Sequence, residues 1–342
     1  MSRLALLVAI FLASFLLTAV LKKLAFRARL IDSPVARSAH TVPTPSGGGL
    51  IIVLLFSMVA SYYFIGGAIP LREFMALTGG MVIAMVGLLD DLSHLDIRWR
   101  VPAQFAAAIW SVWWLGDVPP IDMGGAILEL QWLLNGSAVV ALVWLLNLYN
   151  FMDGIDGLAG CELIFVSVLS LILATNSGDQ VLTLLSGVLL AAGAGFLGWN
   201  WAPAKIFMGD VGSGFVGFTL GIFALFSIHH GTMTVWTWVI LLAVFIADAT
   251  ITVIRRYVSG EKWFEGHATH AYQNAARSYK SHSKVTITVI LINCIWLAPL
   301  AWLSVRQPQA GAYLALIALF PLVLLAIRLK AGKSVEVALL SL

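Results

Sequence analysis

The chain has 342 residues, of which 60% are hydrophobic and 11% charged, and its formal net charge is +3. Its mean hydropathy is +0.94. This composition excludes an ordinary soluble globular protein and indicates a polytopic membrane protein. The small net charge says little about partners, and we expect no nucleic acid among them.

Apolar stretches long enough to cross a bilayer recur along the whole sequence. A transmembrane helix needs about 20 apolar residues, and we therefore predict an all-α polytopic membrane protein with about eleven spans in a single domain, residues 1–342. The predicted spans lie near residues 4–21, 48–65, 74–89, 101–116, 133–149, 158–175, 181–199, 212–228, 234–254, 285–304 and 311–327. No small-residue cleavage site follows the first stretch, and Lys22 and Lys23 do, so we interpret it as a retained helix rather than a signal peptide.

The basic residues predict the orientation of the chain in the membrane. With the N-terminus outside, 17 of the 20 Lys and Arg residues fall in inner loops, and only Arg3, Arg72 and Arg306 fall in outer ones. Because basic residues favour the cytoplasmic side, we predict that the N-terminus is outside and the C-terminus inside. His229 and His230 then lie outside, where we interpret them as interfacial rather than catalytic.

The stretch NLYNFMDGIDGL, residues 147–158, interrupts a long apolar region with polar side chains at regular spacing. The four polar residues are spaced three apart: Asn147, Asn150, Asp153 and Asp156. In an unbroken helix this spacing would turn Asp156 to the side opposite Asn147 and Asn150. Two glycines allow the backbone to leave the helix and turn back, so that all four side chains could face one pocket. Because ionisable groups are costly near a membrane, we predict a functional site, with an ordinary polar loop as the alternative.

Two adjacent acids, Asp90 and Asp91, end the third predicted span at the inner face. The carboxyl end of a helix is electrostatically unfavourable for acids, and adjacent carboxylates repel each other. This placement favours metal binding or general-base work over a solvated helix end.

A further acid lies among small residues after the seventh predicted span, in NWAPAKIFMGDVGSGFVG. Asp210 stands between Gly209 and Gly212 at the predicted start of an apolar helix. The free amides of a helix N-terminus attract an anion, and a carboxylate beside them can hold a magnesium ion on phosphate oxygens. The alternative is a helix cap whose glycines permit close helix packing.

Other polar residues fall in or near the inner loops. Arg37 and His40 lie in a loop rich in proline and glycine, where we expect them to contact a substrate anion, with anionic lipid headgroups as the alternative. His267 and His270, in HATHAYQ, have a spacing that could suit a transition metal, but we favour contact with a phosphate. Asp248, in the ninth predicted span, is interpreted as a structural hydrogen-bond acceptor rather than a catalytic group.

Under the predicted topology, these polar motifs all fall on one face of the membrane. They occupy residues 37–40, 90–91, 147–156, 200–214 and 267–270. One inner-face active site that handles a phosphorylated soluble substrate and a lipid explains this coincidence.

Three motifs in this order resemble a known family. They are LDD at 89–91, NLYNFMDGIDGLAG at 147–160 and KIFMGDVGSG at 205–214. The chain resembles the polyprenyl-phosphate N-acetylhexosamine-1-phosphate transferases of glycosyltransferase family 4. This family contains the phospho-N-acetylmuramoyl-pentapeptide transferase and the enzymes that start O-antigen and teichoic acid chains.

The resemblance implies a magnesium-dependent reaction, with Mn²⁺ as a possible substitute, at the cytoplasmic face of the bacterial inner membrane. A UDP-linked N-acetylamino sugar would give its sugar 1-phosphate to undecaprenyl phosphate and release UMP. The expected partners are therefore these two substrates and the membrane lipids, and a homodimer is a possible assembly. The sequence itself does not specify the oligomeric state.

The resemblance also implies roles for individual residues. Asp210 and Asn150 would hold magnesium on the diphosphate, and Asp90 and Asp91 would lie beside the attacking lipid phosphate. We therefore expect Asp90, Asp91 and Asp210 to be catalytic, while leaving open whether an aspartate acts as a base. The residues expected to bind substrate are Arg37, His40, Asn147, Asp153, Asp156, Asn200, Phe207, His267 and His270.

Departures from the muramoyl-pentapeptide branch favour a different product. That branch has a lysine where this chain has His94, another where it has Thr41 or Val42, and three consecutive histidines in place of HATHAYQ. We therefore predict an enzyme that starts O-antigen or a related surface glycan, in lipopolysaccharide synthesis, on N-acetylfucosamine, N-acetylquinovosamine or N-acetylglucosamine. The peptidoglycan step is the alternative within the family.

Two alternatives come from other classes of protein. A secondary transporter also has many spans and intramembrane polar groups, but it requires polar groups near the bilayer midplane and an internal repeat. A non-catalytic lipid-binding scaffold would leave Asp90, Asp91 and Asp210 without a purpose. The predicted clustering of polar groups at the inner face favours the enzyme over both.

Overall fold

A computed structural model describes residues 2–27, 31–32, 42–93, 95–262 and 267–333. Within these ranges the fold is helical apart from two short hairpins, which confirms the predicted all-α class. The helices are α1 Arg3–Arg27, α2 Leu50–Ile65, α3 Leu71–Ser93, α4 Ile97–Leu115, α5 Gln131–Met152, α6 Leu158–Ser177, α7 Gln180–Asn200, α8 Asp210–His229, α9 Val235–Leu241, α10 Ala243–Val258, α11 Ala271–Tyr279, α12 His282–Ile292, α13 Ala298–Arg306 and α14 Gly311–Arg328. A π-helical turn, Asn293–Leu297, joins α12 to α13 in one continuous rod. Arg37, His40 and His94 lie outside the described residues.

Fewer helices are long and apolar enough to span a membrane than the sequence predicted. Among the described residues, 8 helical rods are long and apolar enough to cross a membrane, or 9 if the bent pair α9 and α10 counts as one span. The shorter α2, with 16 residues, falls below that length. The number eleven therefore stays a prediction, whereas the class of polytopic membrane protein is confirmed.

The predicted span at 234–254 corresponds to a bent pair of helices. It is broken at Leu242, where α9 and α10 meet at a bend of 80°. The second half, α10, carries Asp248 within it and Arg255 and Arg256 in its last turn. On this half, Asp248 accepts the first backbone amides of α11.

Helix α8 forms the centre of the molecule. Its apolar window is 89% buried inside the protein, compared with 17% for that of α1, which is largely exposed at the periphery. It packs against α3 and α5. Small residues make this approach close, since a Cβ at Gly87 would collide with the backbone of Asp210, and one at Gly217 would lie 2.7 Å from the Cβ of Tyr149.

Two short antiparallel hairpins lie at opposite ends of the bundle. The strands β1 Ile31–Asp32 and β2 Thr44–Pro45 pair at the end where α1 finishes, and β3 Ile121–Asp122 pairs with β4 Ile127–Leu128 at the other end. The end of β2 and the residues after it form hydrogen bonds with the segment before α8. Phe207 donates its backbone N–H to Pro45 at 2.9 Å and accepts from Gly48 at 2.8 Å. This pairing holds the start of α8 in place.

Candidate active site

The site is built where the end of α3 meets the start of α8. Asp91 accepts the backbone N–H of Asp210 at 3.0 Å with one carboxylate oxygen and that of Val211 at 3.1 Å with the other. The sequence predicted that these free amides would attract a substrate anion, but in the structure the anion is the side chain of Asp91. A carboxylate at this position stabilises both the orphan amides and the helix dipole. Asp91 therefore fixes α8 against α3.

Asp210 is held in the site by an amide from α5. Asn150 donates its Nδ2–H to Oδ1 of Asp210 at 2.7 Å and also to Ser213 Oγ at 2.9 Å. The second carboxylate oxygen of Asp210, Oδ2, lies 3.8 Å from Nη1 of Arg100. The predicted convergence of Asp91, Asn150 and Asp210 is thus present, with the amide nitrogen of Asn150, rather than its oxygen, facing Asp210.

Two polar residues of α4 belong to the site although the sequence analysis did not select them. Arg100 forms an ion pair with Asp90, and Gln104, one helical turn later, exchanges amide hydrogen bonds with Asn147. The closer of these joins Asn147 Nδ2 to Gln104 Oε1 at 2.9 Å. A signal was present, because residues at i and i+4 share one face of a helix. Together with Asn150 and Asp210, these residues line one small cavity.

The turn after α5 brings the two acids of the DGID sequence to different neighbours. Asp153 ends α5, where burial, followed by the charges of Asp210 and Asp91, raises the pKa of its carboxyl well above its usual range. Asp156 instead accepts the backbone N–H of Ala204 at 3.1 Å and lies 3.3 Å from the ring of His282. Asp156 therefore ties the turn to the chain that precedes α8.

The side chain of Asn200, a residue predicted to bind substrate, forms its hydrogen bonds with the backbone. Its side-chain amide donates to the carbonyl of Ile206 at 3.1 Å and accepts from the N–H of Gly157 at 3.2 Å, and the residue is buried. These bonds hold the glycine turn beside the segment that contains Phe207. Asn200 is thus a positioning residue for both.

The HATHAYQ segment packs over the end of α5 through its two histidines. His270 is buried and its Nδ1 lies 3.2 Å from Asp248, which also accepts the first backbone amides of α11 at 2.9 Å. Asp248 therefore accepts hydrogen bonds as predicted, and it is also the partner of a histidine. His267 stacks on His270 with a centroid distance of 4.9 Å, and both rings lie near Phe151. Burial, with the charges of His270 and Arg256, lowers the pKa of His267 to about 3, so this ring is neutral at ordinary pH.

Comparisons with known proteins decide the family. The sequence pattern of glycosyl transferase family 4 matches residues 73–228, which include Asp90, Asn150 and Asp210. A phospho-N-acetylmuramoyl-pentapeptide-transferase of Synechococcus is 30% identical over 275 residues, which cover 75% of this chain and 72% of that protein. The chain belongs to glycosyl transferase family 4.

Other members of glycosyl transferase family 4 match the chain over most of its length. A probable undecaprenyl-phosphate N-acetylglucosaminyl 1-phosphate transferase of Bacillus subtilis is 29% identical over 290 residues, covering 83% of this chain and 80% of that protein. A decaprenyl-phosphate N-acetylglucosaminephosphotransferase of Mycobacterium tuberculosis is 29% identical over 318 residues, covering 81% and 76%. The predicted resemblance to polyprenyl-phosphate N-acetylhexosamine-1-phosphate transferases is confirmed.

The donor set of this family 4 site suits magnesium held partly by a substrate. Within the described ranges, no three His, Cys, Asp or Glu side chains are grouped so that they could hold a metal ion. Magnesium is commonly bound through one or two carboxylates together with substrate phosphates. Asp210 lines the cavity beside Asn150 and so fits that manner of binding.

Proposed function

We propose that this protein transfers an N-acetylamino-sugar 1-phosphate from a UDP-sugar to undecaprenyl phosphate. An oxygen of the lipid phosphate attacks the phosphorus that carries the sugar. The bond from that phosphorus to the bridging oxygen of the diphosphate breaks, and UMP leaves with the bond's electron pair. The products are an undecaprenyl-diphosphate sugar, which stays in the membrane, and soluble UMP.

The observation that carries this proposal is the meeting of Asp90, Asn150 and Asp210 in one cavity of a family 4 protein. Phosphoryl transfer requires alignment and charge neutralisation more than covalent help from the protein. The cavity offers carboxylates, amides and the guanidinium of Arg100 within a small volume. A transporter or a scaffold gives no reason for this combination at one end of the bundle.

The chain's own residues have separate tasks in this proposal. Asp210 would hold magnesium, and the amide of Asn150 orients the carboxylate that would do so. The metal, when bound, neutralises charge on the transferred phosphate. Asp91 keeps the start of α8 in position, and Asp90 lies with Arg100 on the side of the cavity that faces α4. The HATHAYQ segment and Phe151 border the nucleotide-sugar side.

We further propose UDP-N-acetylglucosamine as the first donor to test, since the relatives from Bacillus subtilis and Mycobacterium tuberculosis are named for N-acetylglucosamine. N-acetylfucosamine and N-acetylquinovosamine donors remain in the proposal because of HATHAYQ. The reaction would take place on the cytoplasmic side of the bacterial inner membrane, and the excess of basic residues in the predicted inner loops supports this orientation. The product would start O-antigen or a related surface glycan.

The test is UMP release by the purified protein with undecaprenyl phosphate, magnesium and each UDP-sugar in turn. One arm contains UDP-N-acetylmuramoyl-pentapeptide, because a relative from Synechococcus is named for that reaction. We expect UMP and a lipid-linked sugar with an N-acetylamino sugar donor, and loss of both when magnesium is chelated. Folded protein that releases no UMP with any donor would refute the proposed activity.

A further inference from the structure

One face of α12, continued by the first residue of the π-helical turn, carries three polar side chains. His282, Thr286 and Asn293 are four and seven residues apart, and these steps keep them on the same side of a helix. Helix α12 packs against α6, and both Thr286 and Asn293 are 1% exposed. Because polar groups are buried at a cost unless they are hydrogen-bonded, these side chains require matching groups on the elements that they face.

The first matching group belongs to the turn between α5 and α6. Thr286 Oγ1 donates to the backbone carbonyl of Asp156 at 3.1 Å. Nδ1 of His282 lies 3.3 Å from Oδ1 of the same acid. Because Oδ2 of Asp156 accepts the backbone N–H of Ala204, the residue is held on two sides. The start of α12 therefore holds the second acid of the DGID sequence by its side chain and by its backbone.

The second matching group is a buried carboxyl in the first half of α6. Asn293 donates its Nδ2–H to Oε2 of Glu162 at 2.6 Å, and each residue is 1% exposed. Among the residues that the structure describes, the partner of this carboxyl is a neutral amide and not a cation. A carboxylate in such surroundings is costly unless a cation or several donors compensate its charge.

Two atoms of this carboxyl–amide pair still require a hydrogen bond. Glu162 Oε1 and Asn293 Oδ1 are both buried, and neither has a partner within the described part of the chain. A carboxylate offers only acceptors, so the charged form would leave both oxygens unsatisfied, whereas a protonated carboxyl has one O–H donor. While Asn293 donates to Oε2, an O–H on Oε1 can donate back to Oδ1. One proton thus satisfies both atoms.

We propose that Glu162 keeps a proton and forms two reciprocal hydrogen bonds with Asn293, and that this neutral pair fixes α12 so that it positions the DGID turn. Helix α12 then holds Asp156 through Thr286 and His282. Glu162 and Asn293 act through this acid, so they are positioning residues. The inference rests on the proposed function, in which the end of α5 borders the nucleotide sugar.

The first test compares Thr286→Val with Thr288→Val as a matched control. Both changes remove one hydroxyl from α12 and keep the shape of the side chain, but Thr288 is exposed and donates to Lys284 of its own helix. We expect Thr286→Val to raise the KM for UDP-N-acetylglucosamine by about 3- to 10-fold, because one hydrogen bond changes an equilibrium by about that factor. The KM for undecaprenyl phosphate and the kinetics of Thr288→Val should resemble the wild type. Equal donor KM values for the two variants, in a protein that transfers sugar phosphate, would overturn the positioning role.

The second test asks whether Glu162 acts as a neutral partner. Glu162→Gln offers an N–H to Asn293 Oδ1 and a carbonyl to Asn293 Nδ2, so we expect the donor KM and the unfolding temperature to stay close to those of the wild type. Glu162→Leu offers neither and should raise the donor KM as Thr286→Val does. If Glu162→Leu fails to fold, Glu162→Gln still decides. A folded Glu162→Gln with a raised donor KM would show that the charge is needed and would overturn the neutral pair.

Infrared spectroscopy separates this inference from the proposed function, because it requires no substrate. The difference between the spectra of the wild type and Glu162→Gln, in detergent at neutral pH, should contain the carbonyl band of a protonated carboxyl in the wild type alone. A carboxylate band in its place would overturn the neutral pair even in an active protein. The protonated band in a protein that releases no UMP with any donor would support the pair and refute only the proposed function.

Discussion

Asp91 and Asp210 are both acids at the ends of helices, yet their carboxylates serve different purposes. Each carboxylate oxygen of Asp91 accepts a backbone N–H of α8, while Asp210 lines the cavity beside Asn150. The first fixes the geometry of the second, because the amide that Asp91 binds belongs to Asp210 itself. Neutral substitutions at the two positions should therefore differ in their effects.

Asp210→Asn should abolish nearly all turnover while the protein stays folded. The change keeps the shape of the side chain and removes the charge that would hold magnesium, so we expect a loss of at least about 100-fold in kcat, as for removal of one electrostatic contact in other active sites. Rates measured over a magnesium titration should not return to normal at saturation. Glu129→Gln, an exposed carboxylate at the other end of the bundle, is the control for loss of a charge. Near-normal turnover of Asp210→Asn at high magnesium would contradict the metal assignment.

His267→Ala and His270→Ala should have separable effects although the residues are three apart. His270 is buried on Asp248, so its removal leaves a buried acceptor short of a partner and should cost about 1–3 kcal/mol of stability. His267 is partly exposed, and its loss should raise the KM for the UDP-sugar with little change in the unfolding temperature. Thermal unfolding in detergent and donor titrations measure the two effects. Identical donor kinetics for wild type and His267→Ala would confine that histidine to a structural role.

The sequence allowed prediction of the site's acids and of Asn150 because polar groups at the ends of apolar spans are costly and need a reason. Arg100 was counted only as a basic residue that sets the orientation, since composition does not distinguish a lipid-headgroup contact from an inward-facing ion pair. The hydrogen bonds between the Asn200 side chain and the backbone could not be predicted from the sequence either. They depend on where the glycine turn and the segment before α8 meet, and that is a property of the folded chain.

The apolar stretches of the sequence predicted where the helices lie, but not the irregular shape of two of them. The break at Leu242 contains neither proline nor glycine, so no local signal marks it. The π-helical turn at 293–297 has a local cause, because Pro299 has no N–H to donate to the carbonyl of Ile295. The start of α8 was predictable from the glycines around Asp210.

A cluster at the end opposite the site joins three elements and should make stability depend on pH. His230, at the end of α8, lies 2.7 Å from Asp179 in the α6–α7 turn and 3.2 Å from Glu73 in the first turn of α3. Hydrogen bonds to Asp179, then to Glu73, raise the pKa of His230 to about 9. A histidine with a raised pKa contributes stability that is complete below its ordinary pKa of about 6.5 and is lost as the pH rises through the folded value.

Thermal unfolding between pH 6 and 10 measures this contribution. The unfolding temperature of the wild type should fall as the pH approaches 9, and His230→Gln should be less stable at pH 6 and lack this component of the fall. His229→Gln is the matched control, because the neighbouring histidine bonds only to the Leu225 carbonyl of its own helix among the described contacts. If the unfolding temperature of His230→Gln fell with pH as steeply as that of the wild type, the His230 cluster would not be the group that titrates.

Viewed as a whole, the molecule separates two kinds of polar group at its two ends. The residues of the candidate active site lie around the start of α8, and the His230 cluster lies at its other end. Most basic residues belong to the first end, which is the distribution that the positive-inside rule requires of a cytoplasmic face. The central helix α8 thus runs from the candidate active site to the His230 cluster. Few of its side chains are exposed between them.

Labelling of single cysteines tests the orientation that follows from this distribution. In a background of Cys161→Ala and Cys294→Ala, we introduce Glu129→Cys at the end that carries the β3–β4 hairpin and Lys284→Cys at the site end; both parent residues are exposed. A membrane-impermeant maleimide should label Glu129→Cys on intact spheroplasts, and Lys284→Cys only after the membrane is opened. The reverse pattern would put the acid cluster on the outer surface, away from the nucleotide-sugar pool, and neither the charge bias nor the proposed reaction could then be correct.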